Sequence, residues 1–224
     1  MAFLCGEQKV GRIMKNFNFD APVMRFLTQV ADLTMINVLW LVCCIPVFTI
    51  GAATTAMYRA VFAVHRSEGP LIQIFFTSFR LNLRQSTFLW IIELLIGSLI
   101  AGDLYLIKSG AVIETLPLLA AFCLSSFFFL FTVTYLFPMV AYYSNTSRNM
   151  ILNAFLLSLK NLPQTILMCI LNIAPFALFF LSSSLFLKVG FIWLLFGFSG
   201  TAYCNSIFLL RIFHTVAKAT ENSQ

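Results

Sequence analysis

The sequence predicts an all-α fold, a polytopic bundle of membrane-spanning helices, and three observations predict it. Apolar runs of around 20 residues recur along the chain, long enough as helix to cross a ~30 Å hydrocarbon layer. Of the 224 residues 60% are hydrophobic and only 10% charged, with 26 Phe and a mean hydropathy of +0.93; a soluble domain of this size cannot cover so much apolar surface. An amphipathic segment also runs twice through Asn-Leu-x-Gln into an apolar run. Asn82, Leu83 and Gln85 recur 79 positions later as Asn161, Leu162 and Gln164, with Phe76 laid on Phe155 and Ile91 on Ile170. None of these runs alternates as the strands of a transmembrane barrel must.

A tail over 1–15 precedes a single membrane domain over 16–215. Asp20 is placed to cap a helix with Pro22 in its first turn, and Val23, Phe26, Leu27 and Val30 share one helical face. The first span covers about 33–50 and is ended by Pro46 and Gly51. Residues 52–66 carry Arg59 at mid-length and reach only ~22 Å at ~1.5 Å per residue, so they read as a helix packed at the cytoplasmic interface, with a true span as the alternative. Ala52, Ala56, Ala60 and Ala63 give it a stripe of small residues suited to close contact with another helix.

Residues 71–84 form an amphipathic helix, with Gln73, Thr77, Arg80 and Arg84 opposite Ile72, Phe75, Phe76, Phe79 and Leu83. Spans follow at about 86–107 and 115–142. Residues 147–162 repeat the amphipathic theme, with Asn149, Asn153 and Lys160 against Ile151, Leu152, Phe155, Leu159 and Leu162. The last two spans cover about 164–185 and 189–212, and 216–224 is a polar tail. Pro138 and Pro175 lie inside spans, where they are expected to kink the helix.

Basic residues orient the bundle. Arg59, Arg66, Arg80, Arg84, Arg148, Lys160, Arg211 and Lys218 fall on one side, against Lys108 and Lys188 in the short opposite loops, which makes the richer side cytoplasmic. It carries both amphipathic helices, and about five spans then put the N-terminus outside. Lys9, Arg12, Lys15 and Arg25 oppose that placement, so six spans with both termini inside is the alternative.

The net charge of +6 is spread beside apolar runs, where it meets lipid headgroups rather than nucleic acid. The six Cys show no CxxC pair and no metal-ligand spacing. The sequence holds no GxSxG, no HExxH and no glycine-rich phosphate loop, and His65 and His214 read as solvated juxtamembrane side chains. No enzyme, cofactor or metal site is therefore expected.

Glu93 is the sharpest residue, because an ionised carboxylate at mid-span costs about 2.5–3.5 kcal/mol unless it is paired, protonated or wet. Asn172 lies at the repeat-equivalent position, and Asn37 and Asn205 are further intramembrane amides; the four form either a polar pocket for a ligand or ion, or a structural clasp between helices. The second expected site is a partner-binding face made by Arg80, Arg84 and Lys160.

The segment NFDAPVMRFLTQVADLTMINVLWLVCCIPVFTIGAATTAMY, then FFTSFRLNLRQSTFLW and SLKNLPQT, resembles the YesL-like family of bacterial membrane proteins. The run IPVFTIGAATTAMY, Ile45 to Tyr58, carries most of the likeness, while Asn18-Phe-Asp-Ala-Pro22 departs from the family's usual Asn-Pro-Asp-Ser-Pro. The resemblance implies a multi-pass protein of the bacterial plasma membrane. It also implies a setting in sugar use, since family members tend to be encoded beside carbohydrate-uptake transporters and polysaccharide-degrading enzymes. Two functions follow as expectations. One is a non-enzymatic accessory or regulatory component that holds a sugar-uptake permease at the membrane face. The other is a small transporter or channel, alone or as an oligomer, with Glu93 in its path.

Overall fold

The computed structural model describes residues 22–109, 115–181, 190 and 193–221. The expected N-terminal tail, Asp20 and Lys188 lie outside the described residues. Seven helices are described: α1 (Pro22–Cys43), α2 (Ile50–Arg66), α3 (Leu71–Ser109), α4 (Thr115–Tyr142), α5 (Ser147–Lys160), α6 (Leu162–Leu181) and α7 (Phe198–Glu221). A 3-10 turn, Val47–Thr49, leads into α2, and a π turn, Trp193–Gly197, leads into α7.

Helix α1 absorbs both the expected amphipathic turn and the first span. Pro46, which has no N–H and disfavours helix at Ile45, stops it. The hydroxyl of Thr49 then closes the corner on the carbonyls of Cys43 and Pro46, each at 2.6 Å. Helix α2 returns antiparallel to α1: Trp40 Nε1 donates to Thr54 Oγ1 at 3.2 Å near the corner. At the far end Arg25, Gln29 and Asp32 share a cavity of about 810 Å³ with Ala63, Glu68 and Leu71.

The segment expected at the interface, 52–66, is instead the centre of the bundle. Eleven of the 17 residues of α2 are buried, and all four alanines of the stripe are wholly so. With its leading turn, Val47–Arg66 is long and apolar enough to cross a membrane. Arg59, which argued against this, is not an isolated charge: it pairs with Glu68 at 3.3 Å and lines a polar cavity with Gln73, Thr77 and Asn82.

The expected interfacial helix 71–84 and span 86–107 form one continuous helix, α3, of 39 residues. No Gly or Pro interrupts the junction, and Asn82 donates to the carbonyl of Ser78 at 3.0 Å within the same helix. In the second copy Pro163 stands where the first has Arg84. A proline there has no N–H for the Leu159 carbonyl and crowds it, which favours a break: α5 ends at Lys160 and α6 starts anew with Pro163 in its first turn, bent by 106°. The two copies share a sequence junction and differ in shape because of one residue.

Among the described residues four helices are long and apolar enough to span a membrane, and five if the bent pair counts as one. Beyond Trp90, α3 and the first half of α4 expose Leu95, Leu99, Tyr105, Leu116 and Leu124, the surface that lipid covers in a membrane protein. Helix α4 runs unbroken through Pro138, and α7 continues past the expected end at 212 to Glu221.

One end of the bundle gathers the charges. Arg59 and Arg66 bracket Glu68, and Arg66 lies over the Tyr142 ring at 5.3 Å. Gln85 donates to the Asn145 carbonyl at 2.7 Å, and Lys160 lines a cavity with Asn145 and Val216 of α7. The start of α1, the α2–α3 turn, the α4–α5 loop and the end of α7 therefore lie at the same end. The five-span count, which left out 52–66, put the start of α1 and the end of α7 at opposite ends; in the structure they share one end. That arrangement removes the conflict over Arg25, which joins the basic side.

Candidate functional site

The four intramembrane polar residues fall into three separate places. Asn37 on α1 is fully buried; its amide donates to the Leu194 carbonyl at 2.6 Å and accepts from the Ser199 N–H at 3.0 Å. It supplies partners where the π turn shifts the backbone ladder. Asn205 on α7 donates to Asn172 Oδ1 on α6 at 2.8 Å, a polar clasp between two helices.

Glu93 on α3 belongs to neither. It is 6% exposed and lines a cavity of about 300 Å³ whose other walls come from α4 and from Ile151 of α5. The helices packed on α6 are α4, α5 and α7. A pocket shared by Glu93 and Asn172 is thus not formed: the repeat gives the two residues the same distance from their junctions, but the break at Asn161 turns the second copy away from α3.

Neither carboxylate oxygen of Glu93 has a hydrogen-bond partner among the described residues. The polar groups beside it are Ser125 and Thr132, whose hydroxyl protons point elsewhere, to the carbonyls of Phe122 at 3.1 Å and Phe128 at 2.9 Å. Sequence reasoning missed both, since a Ser and a Thr inside an apolar run carry no periodic signal.

His65 was also misread. Its ring stacks on Tyr203 at 4.2 Å, and Nε2 lies 2.6 Å from Ser206 Oγ. Ser206 donates its own proton to the Tyr203 carbonyl at 2.6 Å, so His65 Nε2 is the donor. The residue ties α2 to α7 rather than sitting in solvent.

Arg80, Arg84 and Lys160 are all exposed. The arginines stand one turn apart on a helix anchored by buried Leu71, Phe75 and Ser78. Gln85 touches Asn145 from one side while Lys160 shares a cavity with it on the other, so the α4–α5 loop lies between the two basic positions. Among the described residues no group of three or more His, Cys, Asp or Glu is placed to hold a metal.

Residues 33–104 match a family described as proteins of unknown function, DUF624. The chain is also similar to the uncharacterized protein YesL of Bacillus subtilis (strain 168), at 27% identity over 148 residues, 64% of this chain and 69% of that one. No solved structure matches it. The matched stretch contains both the Ile45–Tyr58 run and the first Asn-Leu-x-Gln junction, the residues that carry the resemblance to the YesL-like family.

Proposed function

We propose that this protein is a non-enzymatic accessory or regulatory component of carbohydrate uptake in the bacterial plasma membrane, holding a permease through its charged, cytoplasmic end. The observation that carries the reading is the exposure of Arg80, Arg84 and Lys160 around one loop, on helices whose opposite faces are fixed in the bundle. Cations carried on packed helices at a membrane face favour an acidic partner surface and require no ordering of the backbone on binding. The sugar setting rests on the family resemblance alone.

The test is charge reversal. Replacing Arg80, Arg84 and Lys160 by Glu lowers recovery of the sugar permease chains in gentle purification from the native membrane, while the protein remains inserted. Unchanged permease recovery and unchanged growth on the sugar would refute the reading. A second reading, a small transporter or channel acting as an oligomer, is favoured by the unpartnered Glu93 carboxylate, and sugar movement by the purified protein in liposomes would put it first.

A further inference from the structure

The cavity at Glu93 has a composition that selects its occupant. Its polar lining side chains among the described residues are Glu93, Ser125 and Thr132. Both hydroxyl protons are already given to backbone carbonyls of α4, so what turns inward is lone pairs only. The remaining walls are aliphatic side chains and the rings of Phe128 and Phe129, and no basic residue lines the space. A site made of acceptors, with one formal negative charge in apolar surroundings, repels anions and lacks an internal counter-charge.

A structural clasp is the alternative explanation of a buried intramembrane carboxyl, and it fails here because neither oxygen reaches a donor. A divalent ion is disfavoured as well: it wants six or more oxygens, roughly, and would leave a net positive charge in a low-dielectric cavity. One positive charge balances the site.

We propose that Glu93, with Ser125 and Thr132, forms an exchangeable binding site for a single monovalent cation, either a proton or an alkali ion. With a proton bound, the carboxyl is neutral and the cavity carries no charge; with an alkali ion bound, the carboxylate and hydroxyl oxygens that line the cavity are its ligands. Among the described residues that line this cavity, from α3, α4 and α5, Glu93 is the only titratable one, so none of them competes for the ion. This inference is independent of the partner-binding reading, which involves none of these residues.

Dicyclohexylcarbodiimide tests it on the full chain in detergent micelles. The reagent reacts with a protonated carboxyl in apolar surroundings: the carboxyl proton moves to a carbodiimide nitrogen, an oxygen bonds the central carbon, and the adduct rearranges to an N-acylurea without a leaving group. Peptide mass spectrometry locates the modification. Labelling of Glu93 that falls as pH rises, and is the same in sodium, potassium and choline chloride, identifies the proton. Labelling suppressed at fixed pH by sodium or potassium relative to choline identifies an alkali ion. In either case the Ser125→Ala, Thr132→Val double variant shifts the dependence on that ion at least several-fold. Labelling indifferent to pH and to every salt, or no labelling of Glu93 under any condition, overturns the proposal.

Discussion

Ser86 and Thr165 occupy the same position in the two copies of the repeat, and each reaches back to the helix that precedes its copy's amphipathic segment. Ser86 Oγ lies 2.9 Å from Thr55 Oγ1 of α2, and Thr165 Oγ1 lies 3.0 Å from the Tyr135 hydroxyl of α4. Both hydroxyls follow the junction asparagine by one helical turn. The repeat unit is therefore larger than the amphipathic helix and its span. It includes the helix before them, α2 in one copy and α4 in the other.

The two bonds differ in what their loss exposes. Thr55 also donates to the Gly51 carbonyl at 3.0 Å, so Ser86→Ala leaves it satisfied. Thr165 donates to the carbonyls of Ser158 and Asn161, each at 2.9 Å, so the donor in the second bond is the wholly buried Tyr135 hydroxyl, and Thr165→Val leaves that group without an acceptor. Intramembrane hydrogen bonds average about 0.6 kcal/mol, whereas orphaning a buried donor costs about 1–3 kcal/mol. Thr165→Val should lower the thermal midpoint in detergent clearly more than Ser86→Ala. Adding Tyr135→Phe to Thr165→Val should recover part of the loss, and equal midpoints for the two single variants would contradict this account.

Gly51 sits in the first turn of α2, inside the Thr-Ile-Gly run. A Cβ there would lie 2.5 Å from the Ser86 carbonyl oxygen, 2.7 Å from Trp90 Cβ and 3.0 Å from the Phe137 ring, so α2, α3 and α4 cannot keep their spacing. Gly102, on the exposed far half of α3, would meet nothing within 4 Å. Gly51→Ala is expected to reduce the yield of monodisperse protein and its thermal midpoint sharply. Gly102→Ala is expected to be neutral or to stabilise by up to ~1 kcal/mol, the helix-propensity difference. Similar behaviour of the two variants in size-exclusion and melting measurements would refute the close approach.

Much of the bundle was legible before the structure: the apolar runs, the 79-residue offset and the alanine stripe each correspond to something physical in it. The misreadings share a cause, since each concerned a residue whose meaning depends on a partner distant in sequence. Arg59 looked too costly for a central helix because Glu68 lay beyond the segment under consideration. His65 looked solvated because Ser206 and Tyr203 are far along the chain. Glu93 and Asn172 looked paired because the repeat was treated as a copy of shape as well as of sequence, although Pro163 stood in one copy and Arg84 in the other. That last difference was visible in the residues themselves.

Asn37 gives a test of the π turn. Its side chain serves a carbonyl at 2.6 Å and an N–H at 3.0 Å across 157 and 162 residues of sequence, joining α1 to the start of α7. Asn37→Leu keeps the side chain's branching, removes both partners and leaves the N–H of the wholly buried Ser199 without its side-chain acceptor. The expected loss is about 1–3 kcal/mol, and Asn172→Leu, which takes the acceptor from the wholly buried Asn205 amide, should cost a similar amount without touching the π turn. Hydrogen exchange should localise the Asn37→Leu effect to residues 193–199. Protection there equal to wild type would show that the side chain does not hold the turn.

The arrangement of the ends makes the most direct topological prediction. Arg25, Gln29 and Asp32 share a cavity with the α2–α3 turn, and Val216 shares one with Lys160 and the α4–α5 loop, so both ends of the described chain lie with the basic residues. Gln29 and Lys218 are exposed and serve as reporters. In a variant lacking the native cysteines, Gln29→Cys and Lys218→Cys should both be shielded from a membrane-impermeant maleimide in intact cells and both react once the inner face is opened. The charge rule demands the same outcome, because it brings Arg25 to the side of Arg59, Arg66 and Arg84 instead of leaving it opposite them. Labelling of Gln29→Cys in intact cells, with Lys218→Cys protected, would place α1 the other way and break its antiparallel pairing with α2, for which Trp40 and Thr54 provide the hydrogen bond.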